Sequence, residues 1–258
     1  MATATAPTER VNVAHRCNGG LVVIGDEVLG RRVEDSNTAR VLDAFVRHGI
    51  RAREVAIVPD DEARIAAVVR DFAARFHLVV TTGGVGPTHD DCTWRAVAAA
   101  LDDSIVLRKD VLGFLASRAR APLTPEQERM ALLPSRTEIE HGERGGWALH
   151  LDNVWVLPGV PSMVGAKIDA ICSRYAGPVP ALVEAMFSVD EWDVVARIDE
   201  VVASHPELAI GSYPLFDPAL DHKLRISLEG PDRASVEAGL ATLIERLGAE
   251  VLVRTVWR

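Results

Sequence analysis

Two adjacent acids, Asp90 and Asp91, follow a glycine run in the stretch VVTTGGVGPTHDDCT, residues 79–93. Carboxylates are hard oxygen ligands, and Mg²⁺ uses one or two of them together with the phosphates of a substrate. Glycine lets a backbone take positive φ and bring N–H groups against a ligand. The start of a following helix adds partial positive charge for an anion. The pattern therefore points to a phosphate cradle of Gly83, Gly84, Gly86 and Thr88. A divalent cation on Asp90 and Asp91 would offset the repulsion between acids and phosphate. A second acidic pair, Asp26-Glu27, follows the apolar run of residues 20–25 and is expected at the same edge, as further metal ligands. Plainer roles stay open. Asp91 could cap the next helix, Asp90 and His89 could be solvated, and Cys92 reads as a small, partly buried helix residue.

Better-known site patterns are missing. Gly84-Val85-Gly86 lacks the third glycine of a dinucleotide fingerprint, and no Walker lysine follows the loop. There is no GxSxG elbow and no HExxH. The eight histidines and three cysteines do not cluster at zinc spacing. No general base stands out.

The elements that must hold these residues can be read from periodicity. Residues 20–25, 50–58 and 78–82 read as strands. Residues 37–48 and 61–76 read as helices, as does a segment with Trp94, Val97, Ala98 and Leu101 on one face. This order implies a mostly parallel sheet with helices on both faces. In such sheets ligands bind beyond the carboxyl ends of the strands, where residues 83–91 emerge. Thr124-Pro125-Glu126-Gln127 predicts a capping box and a helix to about Leu132. One or two strands over 147–157 and a helix reaching Tyr175 complete a first domain, residues 18–177. Ala176-Gly177-Pro178-Val179-Pro180 is a composition break. Beyond it, residues 181–258 read β-α-β-β-α-β, a smaller ferredoxin-like α+β domain. Residues 1–17 read as a flexible tail.

The formal net charge of −9 disfavours nucleic acid and anionic membranes as partners. It leaves room for a small phosphorylated molecule. Three scattered cysteines give no disulfide framework, which fits a reducing, cytoplasmic setting. No uninterrupted apolar run is long enough to span a membrane, and the first residues lack the apolar core of a secretory signal.

The stretch TTGGVGPTHDDCTWRAVAAAL resembles the signature of the MoaB/Mog-like, molybdopterin-binding fold family. It is closest to the branch found in CinA-like proteins and in the domain fused to eukaryotic FAD synthases. GDEVLGRRVEDSNTARVL, with Asp35 and Asn37 at matching places, and VWVLPGVPSMV resemble two further family segments. The likeness covers about residues 20–175 and continues more weakly into IGSYPLF. It implies a three-layer α/β/α domain with its ligand at the glycine loop. Asn37, Pro158 and Gly159 would touch the rest of that ligand. Mog-like members adenylylate molybdopterin, whereas the CinA-like and FAD synthase branches are linked to hydrolysis of ADP-ribose-like or FAD-like diphosphates. The resemblance thus implies a metal-dependent pyrophosphatase with Asp90 and Asp91 as catalytic residues. The alternatives are a non-catalytic pterin or nucleotide module and a molybdopterin adenylyltransferase. Relatives assemble, which implies a homo-oligomer. Departures from the family pattern are Val85 for Thr, Arg31 for Gly, Ser162 for Glu, and residues 142–146 for a Gly-Thr-Ala-Pro-Gly segment.

Overall fold

The computed structural model describes residues 17–141, 147–217 and 219–258. The departure at 142–146 and residues 1–16 of the expected tail lie outside them. Cys17, counted with the tail, is seated: its carbonyl accepts the Arg51 N–H at 2.8 Å. Two compact units meet in sequence at Gly177 and Pro178.

The first unit opens with β1 (Asn18–Ile24), α1 (Asp26–Leu29), α2 (Asn37–Arg47), β2 (Arg51–Val58), α3 (Glu62–Arg75), β3 (Leu78–Thr82) and α4 (Thr93–Ala100). An arm follows: β4 (Ile105–Leu107), α5 (Lys109–Arg118), α6 (Pro125–Glu128) and β5 (Leu132–Pro134). Then come β6 (Glu138–His141), β7 (Trp147–Leu151), β8 (Val154–Leu157), α7 (Pro161–Gly165) and α8 (Ile168–Ser173). Six strands form one sheet in the order β2-β1-β3-β8-β7-β6. The first four are parallel, and β7 and β6 run antiparallel.

Alternation along the buried strands builds two cores. Val22, Ile24 and Val79 face Ile65, Phe72 and Val97 of α3 and α4. Leu21, Val23, Leu78 and Val80 face Val41, Phe45, Ile168 and Ile171 of α2 and α8. The result is the expected three-layer α/β/α arrangement. Each fully buried aliphatic side chain contributes roughly 1.5–3 kcal/mol, so the two cores hold the strand ends firmly in place. The arm has its own small core of Val111, Ala131 and Leu133. Trp94 packs against both this core and the α3–α4 core.

The second unit runs β9 (Ala181–Phe187), α9 (Glu191–Ser204), β10 (Ala209–Pro214), β11 (Leu224–Gly230), α10 (Arg233–Leu247) and β12 (Leu252–Trp257). Its sheet is antiparallel throughout, in the order β10-β11-β9-β12, the ferredoxin-like arrangement. On β11, Leu224, Ile226 and Leu228 are buried while Arg225, Ser227 and Glu229 alternate outward.

Two expectations need correction. The capping box at Thr124 and Gln127 forms, but its helix ends at Glu128, passes through one 3₁₀ turn and becomes β5. The helix expected to reach Tyr175 is broken into α7 and α8. The arm strands β4 and β5 and the antiparallel β6 were not expected, because strands of three or four residues carry too little periodicity to read.

Candidate functional site

The four parallel strands end along one edge of the sheet. β1 delivers Gly25-Asp26-Glu27, β2 delivers Pro59-Asp60, β3 delivers the glycine loop, and β8 delivers Pro158-Gly159. After β1 the chain passes to α2 on one face, and after β3 to α4 on the other. The β1–β3 crevice is therefore a topological switch point, where open α/β sheets bind ligands.

Backbone bonds lock these ends together. The Gly25 N–H donates to the Val58 carbonyl at 3.1 Å, and the Gly83 N–H to the Leu157 carbonyl at 3.1 Å. Gly83 and Gly84 have φ of 102° and 63°. A Cβ on Gly83 would collide with the Ile24 carbonyl oxygen, and one on Gly84 with the Thr93 hydroxyl. Thr93 is fully buried and ties the loop to α4. Its hydroxyl donates to the Gly83 carbonyl at 2.8 Å and its N–H to the Gly84 carbonyl at 3.0 Å. Among the described residues, the N–H groups of Gly84, Val85 and Gly86 reach no protein acceptor. They form a run of free donors in a backbone that the glycines fold tightly.

Asp91 is not a helix cap. The N-cap of α4 is Cys92, with no side-chain cap bond. Asp91 Oδ2 instead turns back on its own loop and accepts the Thr88 N–H at 2.8 Å and the Thr88 hydroxyl. Both Thr88 donors are thereby used within the loop. Asp90 faces solvent. His89 is 96% exposed.

Asp60 was not among the expected site residues. Its Oδ2 accepts the Asp26 N–H at 2.9 Å. Its Oδ1 lies 3.5 Å from where a Cβ on Gly84 would stand, at the start of the run of free donors. Burial first, then the charges of Glu27, Asp26 and Asp90, push its carboxyl above the ordinary range despite the Asp26 N–H. The strand-end rule that picked Asp26 and Glu27 applies equally to Asp60, which follows β2. The acids Asp26, Glu27, Asp60 and Asp90 thus share one field. Asp91 belongs instead to the loop's internal bonding. Among the described residues no group of three or more His, Cys, Asp or Glu side chains is placed to hold a metal ion. The expected set of Asp26, Glu27, Asp90 and Asp91 is therefore not a preformed metal centre.

On the other face of the sheet, Asp35 Oδ1 accepts the N–H groups of Asn37 and Thr38 at 2.9 and 3.0 Å, starting α2. Asn37 is thereby turned so that its Nδ2 donates to the Gly159 carbonyl at 2.8 Å. Gly159 packs against Gly83: a Cβ added to Gly159 would stand 3.5 Å from Gly83 Cα. Asn37 Oδ1 is buried without a partner among the described residues. Asn37 and Gly159 therefore buttress the glycine loop.

Residues 20–176 match the family described as probable molybdopterin binding domain. The chain belongs to that family. Within the molybdopterin-binding-domain family its relatives include CinA-like proteins. A CinA-like protein of Geobacter metallireducens is 32% identical over 90% of this chain. The chain spans 60% of that relative's length. The second unit, residues 182–256, matches the FAD synthase middle domain. A probable FAD synthase of Caenorhabditis briggsae is 26% identical over 95% of this chain and 52% of its own length. The crystal structure of a CinA protein of unknown function from Thermoplasma acidophilum superposes with a TM-score of 0.55 at 27% identity. It covers 62% of this chain and 99% of the other. No helix among the described residues is long and apolar enough to cross a membrane.

Proposed function

We propose that the glycine loop binds the diphosphate of a nucleotide-like molecule, ADP-ribose-like or FAD-like, and that the chain hydrolyses it with a divalent cation. One observation carries this reading: a run of three free N–H groups, Gly84 to Gly86, begins beside the half-buried carboxylate of Asp60, which stands next to Gly84. Anion donors next to crowded acids suit a ligand that arrives as phosphate and cation together. Asp60, with Asp26 or Glu27, would hold the cation. Once bound, the cation would neutralise phosphate charge and polarise the phosphorus towards water. Asp91 and Thr88 keep the loop folded, and Thr93 fixes its carbonyls away from the ligand. Asn37 and Gly159 brace it from the other face.

Binding without turnover is the second reading. It is favoured by the lack of a seated general base in the loop, since His89 is exposed and Asp91 is engaged by Thr88. Adenylyl transfer to molybdopterin is less well supported, because Val85 packs against the α3–α4 core and offers no hydroxyl. A product assay with ADP-ribose, FAD, or molybdopterin plus ATP, each with and without Mg²⁺ or Co²⁺, tests all three. Cation-dependent release of a nucleoside monophosphate is the expected result. Binding with no product would leave the second reading. Pyrophosphate release that requires molybdopterin would restore the third.

A further inference from the structure

A cleft of about 280 Å³ opens beside the glycine loop. The loop, Gly84 to Thr88, forms one wall. Arg129 and Met130 line it together with Ile105 and Leu132 of the arm, as do Trp94 and Arg95 from the first turn of α4. Asp26, Glu27, Asp60 and Asp90 are not among its lining residues. The carboxylate that does line it, Asp91, already accepts two bonds from Thr88. The two edges of the loop therefore differ in character. One carries crowded acids, and the other carries an aromatic ring, apolar side chains and two arginines.

Whole-ligand pockets run to about 300–1,000 Å³, so a cleft this size holds one part of a molecule. Its chemistry suits a flat ring. Trp94 is braced by two cores and presents an ordered aromatic surface. Met130 is polarizable and adapts to a ring edge. Arg129 is exposed at the rim, and a planar guanidinium stacks on aromatic faces while attracting anions.

We propose that this cleft is the subsite for the planar ring of the ligand, and that Arg129 and Met130 determine which rings are accepted. The proposal rests on the diphosphate reading, because the ring must lie within reach of phosphates on the loop. It adds a direction: the ring enters towards the arm while the cation lies towards β2. It also gives the arm a function, as the wall that sets specificity.

The test is titration calorimetry of inorganic pyrophosphate, ADP and FAD with the full chain, Mg²⁺ present, for wild type, Arg129→Ala and Met130→Glu. Stacking contacts of this kind are worth enough to change affinity about tenfold or more. Wild type should bind ADP or FAD at least about tenfold more tightly than pyrophosphate. Each variant should lose most of that advantage, change pyrophosphate affinity less than about twofold, and melt at an unchanged temperature. If pyrophosphate binds but the ring gives no advantage, or if the variants weaken pyrophosphate equally, the subsite is wrong and the diphosphate reading stands. If wild type binds none of the three, the diphosphate reading fails and the subsite fails with it.

Discussion

The carboxylate of Asp60 lies half-buried among Asp26, Glu27 and Asp90, so it ionises less readily in the folded chain than in the unfolded one. A carboxyl whose folded pKa is raised binds its proton more tightly when folded. Its contribution to stability is fully present below the ordinary value of 3.8 and is lost as pH rises through the raised one. Asp60→Asn removes the charge and keeps an acceptor for the Asp26 N–H. Its melting temperature should exceed that of wild type at pH 7 without divalent cations, and the difference should vanish at low pH. A melting temperature at pH 7 equal to or below that of wild type would contradict this. Thr93 gives a second prediction. Thr93→Val leaves the Gly83 carbonyl unpaired in a buried place and should cost about 1–3 kcal/mol in denaturant unfolding. A negligible loss would mean that the loop is held by other contacts. The positive φ of Gly83 and Gly84 was legible in the sequence, because that backbone region favours glycine, and so was the place of Asp26 at a strand end. The turning of Asp91 onto Thr88 was not. Either of two neighbouring acids can fold back, and loop dihedrals decide which one does.

At the scale of elements, the long periodic segments were legible: β1, β2, β3 and α2 to α4 match their apolar spacing, as does the whole second unit. The arm was not. Its strands of three residues have no period to detect, and only its capping box had a local signature. The loop after α1 carries a prediction of its own. Arg31 is a non-glycine residue with a φ of 53°. A non-glycine residue in this region costs about 1–2 kcal/mol, partly offset by the greater unfolded freedom of glycine, about 0.5–1 kcal/mol. Arg31→Gly should therefore stabilise the chain by up to about 1 kcal/mol. Destabilisation would show that the arginine side chain makes a contact that outweighs its backbone strain.

At the scale of the molecule, the unit ending at Gly177 contains the glycine loop, the acids and the arm. A chain truncated after Gly177 should fold and keep its affinity for pyrophosphate, as read by circular dichroism and calorimetry. A folded fragment that binds nothing would mean that the second unit completes the site. The chain also carries a net charge of −9, which opposes the approach of a diphosphate. Free N–H groups and a cation on Asp60 would together let an acidic protein hold an anionic ligand. The most direct test is the affinity of wild type and Asp60→Asn for pyrophosphate, each measured with and without Mg²⁺. Wild type should bind at least about tenfold more tightly with Mg²⁺, the effect of roughly 1.4 kcal/mol. Asp60→Asn should lose that gain while binding no worse than wild type when the cation is absent. An equal response to Mg²⁺ in both proteins would contradict the account.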